Sequence, residues 1–246
     1  MFESTNLVIA LCLFLGAILY TSVGHAGSSA YIAIMTLFNL EAPVIKPTAL
    51  TLNIAVSAYA SWRYIRNRYF DTKLFFTLSI GAIPAAFIGG HINLASEIYK
   101  PVVGVLLILS GLRFIFLAAS KDRELSKVNY PLVLVMGASI GFLSGITGTG
   151  GGIFLSPLII WLGWNHVKQA SGTVAAFIFV NSVAGLLGNF KSTSSLPESL
   201  PLFLGAVILG ALIGTRLGIS RFSSTGVKRA LGSVLIIAGL KFALTF

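Results

Sequence analysis

Apolar segments of about twenty residues recur along the whole chain, and most of the charged residues lie between them or near their ends. Of 246 residues, 56% are hydrophobic and only 10% are charged, whereas a water-soluble domain carries about 25% charged residues. All seven acidic residues fall near a terminus or between segments. Because a helix of about 20 apolar residues spans the hydrocarbon core of a bilayer, the pattern predicts an all-α polytopic membrane protein, with 1–246 as one membrane domain.

The segments follow the same order twice. A long segment ends in a stretch of small residues, a segment too short to span follows, and three long segments complete the series. We expect repeat one at 1–119, a cytoplasmic linker at 120–129 and repeat two at 130–246. The predicted segments are 6–24, 30–38, 47–62, 73–92 and 101–119, then 131–143, 153–162, 167–189, 200–218 and 228–245.

Matching residues in the two halves indicate a duplication. Gly24–Ser28 corresponds to Gly148–Gly152, and Lys100–Gly104 corresponds to Lys228–Gly232. Further matches occur in the same order in both halves, and such an ordered series is not expected by chance. Each half is therefore predicted to be a glycine-broken helical hairpin followed by three transmembrane helices.

The basic residues predict the orientation of each half. Four Lys or Arg residues cluster within each of the stretches 63–73, 113–127 and 216–229. The intervening loops 39–46, 93–100 and 191–200 hold one each. Basic loops stay on the cytoplasmic side. The charged and neutral loops exchange places between the halves, so the repeats are predicted to be inverted, with both termini outside a bacterial inner membrane. The net charge of +10 is then an orientation signal, and nucleic-acid binding is not expected.

The stretch Ser144–Ile153 holds five glycines in eight positions inside an otherwise apolar region. Irregular backbone at membrane depth is tolerated only where it is packed in protein or lines a cavity. The N–H groups that precede a helix attract anions, and inverted repeats with broken helices are typical of secondary transporters. The alternative is a small-residue packing face between helices.

The predicted membrane interior contains no carboxylate, which favours an anionic or neutral substrate. Hydroxyls, amides, glycine backbone and one imidazole remain at depth. Each Ser, Thr or Asn also has a structural alternative, namely a bond within its helix or to a neighbouring one. The candidate substrate-binding residues are Gly24, His25, Gly27, Ser28, Ser29, Asn53, Thr147, Gly148, Thr149, Gly150, Gly151, Gly152, Thr173 and Asn181.

His25 is the one ionisable residue in a predicted break. Histidine changes charge near neutral pH, so His25 is a candidate for oxyanion binding and for proton coupling. The alternative is a neutral imidazole bonded to a backbone carbonyl of the opposite hairpin. Lys46 and Arg63 flank the third segment and are interpreted first as lipid-headgroup anchors, with attraction of anions as the alternative.

The motifs of both halves resemble the TauE/SafE sulfite exporter family, also called the 4-toluene sulfonate uptake permease family. The resemblance extends over essentially the whole chain and implies transport of sulfite, sulfonates or related sulfur oxyanions. One departure is Gly-His-Ala-Gly-Ser-Ser in the first half, where a glycine triplet would be more usual. The matching motifs are Pro47-Thr48-x-Leu50, Asn53, Trp62-Arg63-Tyr64, Gly148-x-Gly150-Gly151-Gly152, Ser156-Pro157-Leu158, Ala170-Ser171-Gly172-Thr173 and Asn181-Ser182.

These observations predict a secondary transporter for sulfite, thiosulfate, sulfoacetate or another organosulfonate, with alternating access between the two breaks. An anion channel with the same pseudo-symmetric pore is the alternative function. No nucleophile and base pair supports an enzyme, and neither a metal site nor a cofactor is expected. The expected partners are the small anion and the lipid bilayer, and a homodimer is left open.

Overall fold

The computed structural model describes residues 4–22, 24–116, 125–220, 232, 235–237 and 239–241. These residues are almost entirely helical, which confirms the all-α prediction. The helices are α1 Ser4–Ser22, α2 Ser28–Leu37, α3 Ala42–Arg66, α4 Thr72–His91, α5 Ser96–Phe116, α6 Tyr130–Thr147, α7 Gly152–Trp161, α8 Val167–Gly188 and α9 Leu200–Ser220, with a 3₁₀-helix at Phe190–Ser195.

Five of these helices, α1, α4, α6, α8 and α9, are long and apolar enough to cross a membrane. Large apolar side chains such as Leu11, Ile80 and Leu209 are exposed on them, as expected for surfaces that face lipid. Helices α2 and α7 have 10 residues each, so each is about 15 Å long, half of the hydrocarbon thickness of about 30 Å. The polytopic membrane fold is confirmed.

The order of the elements follows the predicted segments. A long helix, a short helix and further long helices occur in 4–116, and the same order begins again at Tyr130. Most of the predicted last segment, 228–245, and residues 120–124 of the predicted linker lie outside the described residues. The repeat boundaries remain predictions.

Helices α3 and α8 lie at the centre and cross in opposite directions. In α8, 72% of the apolar stretch is buried, against 33–39% in the other four long apolar helices. Leu50 lies against Gly185 near one end of the pair, and Tyr64 lies against Gly172 near the other. Because α3 and α8 come third in their respective halves, antiparallel crossing is the arrangement that inverted repeats would produce.

Glycines bring helices from different halves into close contact. A Cβ atom added to Gly141 of α6 would lie 2.5 Å from the carbonyl oxygen of Ala82 in α4. One added to Gly210 of α9 would lie 2.5 Å from the carbonyl oxygen of Phe14 in α1. Small residues allow such backbone approach in membrane helices. These contacts hold α1 and α6, whose ends carry the two breaks, against α9 and α4.

Candidate functional site

Helices α1 and α6 each lead into a glycine turn that connects them to a half-length helix. We call residues 24–29 break one and residues 147–152 break two. Gly24 and Gly27 have φ of 80° and 106°, and Gly148 and Gly151 both have φ of 79°. Glycine adopts this left-handed region without a steric cost. The two breaks are therefore alike at these two positions, but Gly150 also has φ of 70° and its counterpart Ala26 does not lie in this region.

The half-length helices begin directly at the breaks, α2 at Ser28 and α7 at Gly152. The first N–H groups of a helix have no acceptor within that helix, and the helix dipole places partial positive charge there. The Ser28 N–H donates to Asn53 Oδ1 of α3 at 3.1 Å. One of these N–H groups is thus satisfied by a side chain that belongs to the central helix pair.

The two breaks are hydrogen-bonded to each other inside the protein. The Ser28 hydroxyl donates to the carbonyl oxygen of Thr149, and Asn53 Nδ2 donates to Ser182 Oγ of α8 at 3.2 Å. A Cβ on Gly150 would overlap Asn53 Nδ2. All four polar residues are at most 4% exposed. Asn53 therefore links break one, break two and α8 at a single buried junction.

Break two contains further polar contacts. The hydroxyls of Thr147 and Thr149 lie 3.0 Å apart, and Asn181 Nδ2 of α8 donates to the carbonyl oxygen of Gly150 at 3.3 Å. Asn181 Oδ1 is buried and has no hydrogen-bond partner among the described residues. The amide oxygen of Asn181, which lies beside break two, thus has unused hydrogen-bonding capacity.

Break one contains an aromatic and histidine cluster. His25 is 4% exposed, and its ring meets the Tyr20 ring edge-on with centroids 6.4 Å apart. The Ser29 hydroxyl donates to the Tyr20 hydroxyl at 2.9 Å, and the Tyr31 hydroxyl donates to the carbonyl oxygen of Ala26 at 2.6 Å. The imidazole is therefore packed inside the protein and lies next to the start of α2.

Thr173 lies apart from this junction. Its hydroxyl accepts from the backbone N–H of Asp71 at 3.0 Å, and the Asp71 carboxylate caps α4 by accepting from the Leu74 N–H at 2.9 Å. Thr173 thus joins α8 to the loop before α4. This bond gives Thr173 a structural contact, and its place in the substrate site stays a prediction.

The other predicted residues lie in or beside the two breaks, and three further residues contact them. Ser182 and Tyr20 complete the hydrogen bonds of the junction and of break one, and Lys46 lies beside break two. Ser182 had a sequence signal, because it follows Asn181 and matches Ser57 in the first half. Tyr20 had none beyond its position before the break.

The position of Lys46 contradicts its interpretation as a lipid-headgroup anchor. The residue is only 5% exposed, and its ammonium donates to the carbonyl oxygens of Gly90 and Ile92, both at 3.1 Å. A Cβ on Gly148 would lie 3.2 Å from Lys46 Cγ. The lysine therefore binds the end of α4 within the protein and contacts the first glycine of break two.

Helical spans, paired half-length helices and breaks that meet at a buried polar junction define a polytopic membrane protein of the transporter class. The chain belongs to the TauE/SafE sulfite exporter family, because the family model described as "Sulfite exporter TauE/SafE" matches residues 8–242. This confirms the family predicted from the motifs.

Three relatives are named as probable membrane transporter proteins. Protein y4hK of Sinorhizobium fredii is 36% identical over 237 residues, covering 95% of this chain and 96% of its own. YjnA of Bacillus subtilis is 27% identical over 95% of this chain and 98% of its own. MJ0441 of Methanocaldococcus jannaschii is 25% identical over 78% of this chain and 76% of its own. No solved structure matches the chain.

Proposed function

We propose that this protein is a secondary transporter that carries a small sulfur-containing anion by alternating access at the junction of the two breaks. The substrate class is sulfite, thiosulfate, sulfoacetate or another organosulfonate. The protein is proposed to lie in the bacterial inner membrane with both termini outside, as two inverted repeats.

The observation that supports this proposal is the direct bonding of the two breaks. Ser28 donates to Thr149, and Asn53 bonds to Ser28 and to Ser182. The donors of these bonds have acceptors within the protein in this conformation, and they would become available to a guest anion when the halves separate. These donors would bond to the oxyanion when it is present and to the protein when it is absent. Little hydrogen-bonding energy would therefore be lost in either state.

The chemistry of the junction favours an anion that is released again. Its donors are neutral hydroxyls, amides and backbone N–H groups at helix starts, and the breaks themselves contain no carboxylate. Neutral donors bind an oxyanion without the attraction of a permanent positive charge at the same place, which would slow its release. His25 is the proposed proton-coupling residue, because protonation there would add charge only during part of the cycle.

The test is a thermal-shift and calorimetric screen of the purified protein at pH 5.5 and 7.5. The ligands are sulfite, thiosulfate, sulfate, sulfoacetate and an aromatic sulfonate. We expect selective stabilisation by one sulfur anion, stronger at the lower pH if protonated His25 contributes. A failure of all five to bind would contradict the substrate class, and ohmic currents in planar bilayers would favour the channel.

A further inference from the structure

A cavity of about 120 Å³ lies at the end of the molecule where α3 begins and α8 ends. It is enclosed by the start of α3, the residues after α4, the start of α5 and the 3₁₀-helix. Its volume is several times that required for one water molecule. The polar side chains that line it are Lys46, Asn93, Tyr99, Asn189 and Ser192.

Asn189 supplies a buried donor to this cavity. The residue is 3% exposed, and its Oδ1 accepts from the Ser192 hydroxyl at 2.8 Å. Its Nδ2 has no hydrogen-bond partner among the described residues. Because a buried amide donor without a partner costs free energy, this N–H group is suited to a ligand that accepts hydrogen bonds.

Lys46 supplies positive charge to the same cavity. Two backbone carbonyls accept from its ammonium, and an ammonium has three N–H donors. Among the described residues that line the cavity, none carries a carboxylate. A cation and an unused amide donor that share a cavity without a counter-ion are complementary to an anion.

The cavity is in contact with break two. Lys46 packs against Gly148, and the Tyr99 hydroxyl donates to the carbonyl oxygen of Thr147 at 3.0 Å. Two of the polar residues that line the cavity thus contact the first residues of break two. A ligand held there would be bound by residues that also contact break two.

We infer that this cavity is an oxyanion-binding subsite, separate from the junction, through which the anion reaches break two. The inference rests on the proposed function, because it assumes that the carried ligand is a small oxyanion. Asn189 and Lys46 are the ligand-binding residues. Lys46 also caps α4, so its replacement has structural effects that the replacement of Asn189 need not have.

The decisive variant is Asn189→Asp. It has nearly the same shape and retains an oxygen that accepts from Ser192, but it replaces the unpartnered amide donor by a negative oxygen. We expect Asn189→Asp and Lys46→Met each to weaken sulfite binding by about tenfold or more, and Lys46→Arg to keep it within about threefold. Sulfite binding is measured by calorimetry on the full-length protein under nitrogen.

The matched control is Lys168→Met. Lys168 Nζ also donates to a backbone carbonyl, that of Ile219 at 3.3 Å, and it does not line the cavity. We expect its removal to leave sulfite affinity within about twofold. Thermal unfolding and size-exclusion profiles of every variant separate loss of binding from loss of fold.

The outcomes distinguish this inference from the function on which it rests. If the wild-type protein binds none of the sulfur anions, the proposed function fails and the subsite fails with it. If the wild type binds sulfite and folded Asn189→Asp binds it equally well, only the subsite is overturned. Equal losses in Lys46→Met and Lys168→Met would also overturn it, because general charge would then explain both.

Discussion

The two breaks have left-handed glycines at two matching positions but differ in the residue that packs against their first glycine. Gly24 of break one lies against Ser171, whereas Gly148 of break two lies against Lys46. Both contacts involve the early part of the central helix from the other half, α8 in one case and α3 in the other. The residue against the first glycine is thus charged at break two and neutral at break one.

This difference indicates how a pseudo-symmetric scaffold can handle an anion asymmetrically. Similar backbones at the breaks would allow two conformations of comparable energy, which alternating access requires. Lys168 and Asp71 both lie near the start of α8, whereas Lys46 contacts break two directly. On the proposed function, the anion would bind more strongly at the Lys46 end. The similarity of the two breaks and the difference in anion affinity between the two ends can therefore be tested by separate substitutions.

Gly150→Ala should have the largest effect. Gly150 has φ of 70°, and a Cβ there would overlap Asn53 Nδ2, so the junction must move. We expect sulfite uptake into proteoliposomes to fall by about a hundredfold or more, because a displacement of about 1 Å at a functional site can have an effect of this size.

The control for Gly150→Ala is Gly205→Ala. Gly205 lies in α9, and a Cβ there meets no atom within 4 Å, so uptake should not change. Gly27→Ala in break one, where the Cβ would lie 2.8 Å from Tyr31 Cζ, should be as damaging as Gly150→Ala. A harmless Gly27→Ala would show that the two breaks are not equivalent in function.

Asn53→Ala should be more damaging than Asn181→Ala. Asn53 makes two hydrogen bonds and satisfies the Ser28 N–H, whereas Asn181 makes one. Leaving that buried N–H without a partner should lower the unfolding free energy by about 1–3 kcal/mol. Chemical unfolding in detergent micelles measures this difference, and the reverse ranking would contradict the central place of Asn53.

His25→Ala should weaken sulfite binding by about tenfold, the loss of one charge-assisted hydrogen bond. His25→Gln is the matched variant, because an amide donates hydrogen bonds but does not titrate. We expect His25→Gln to retain more affinity and yet abolish stimulation of transport by a proton gradient. Affinity and pH dependence equal to wild type in both variants would exclude His25 from the site.

Thr173→Val should have the smallest effect on transport. The substitution removes the acceptor of the Asp71 N–H, so it should lower the unfolding free energy by about 1 kcal/mol. We expect the sulfite KM to change less than twofold, because this hydroxyl lies at the loop before α4. A large rise in KM without loss of stability would return Thr173 to the substrate site.

Sequence reasoning predicts the helices well because membrane helices depend on local features. The first segment, predicted at 6–24, is α1 at Ser4–Ser22, and the short segment predicted at 153–162 is α7 at Gly152–Trp161. Apolar length and glycine content are sufficient for both. The predicted inverted repeat also predicts that the breaks meet, since matching elements of inverted halves would face each other.

The roles of Lys46 and Thr173 depend on residues that lie far away in the sequence. A lysine at the end of an apolar segment is typical of a headgroup anchor, and its burial depends on α4 ending beside it with Gly90 and Ile92. Thr173 matches the family motif, but its partner Asp71 comes from a loop in the other half. No local pattern encodes either contact.

Sulfite counterflow is the measurement that tests alternating access at the junction most directly. Proteoliposomes containing the wild-type protein are loaded with unlabelled sulfite and diluted into a trace of radiolabelled sulfite under nitrogen. The account predicts a transient accumulation of label above equilibrium, which Gly150→Ala abolishes and Gly205→Ala retains. Rapid equilibration without an overshoot, together with ohmic sulfite currents, would contradict a carrier and indicate a channel.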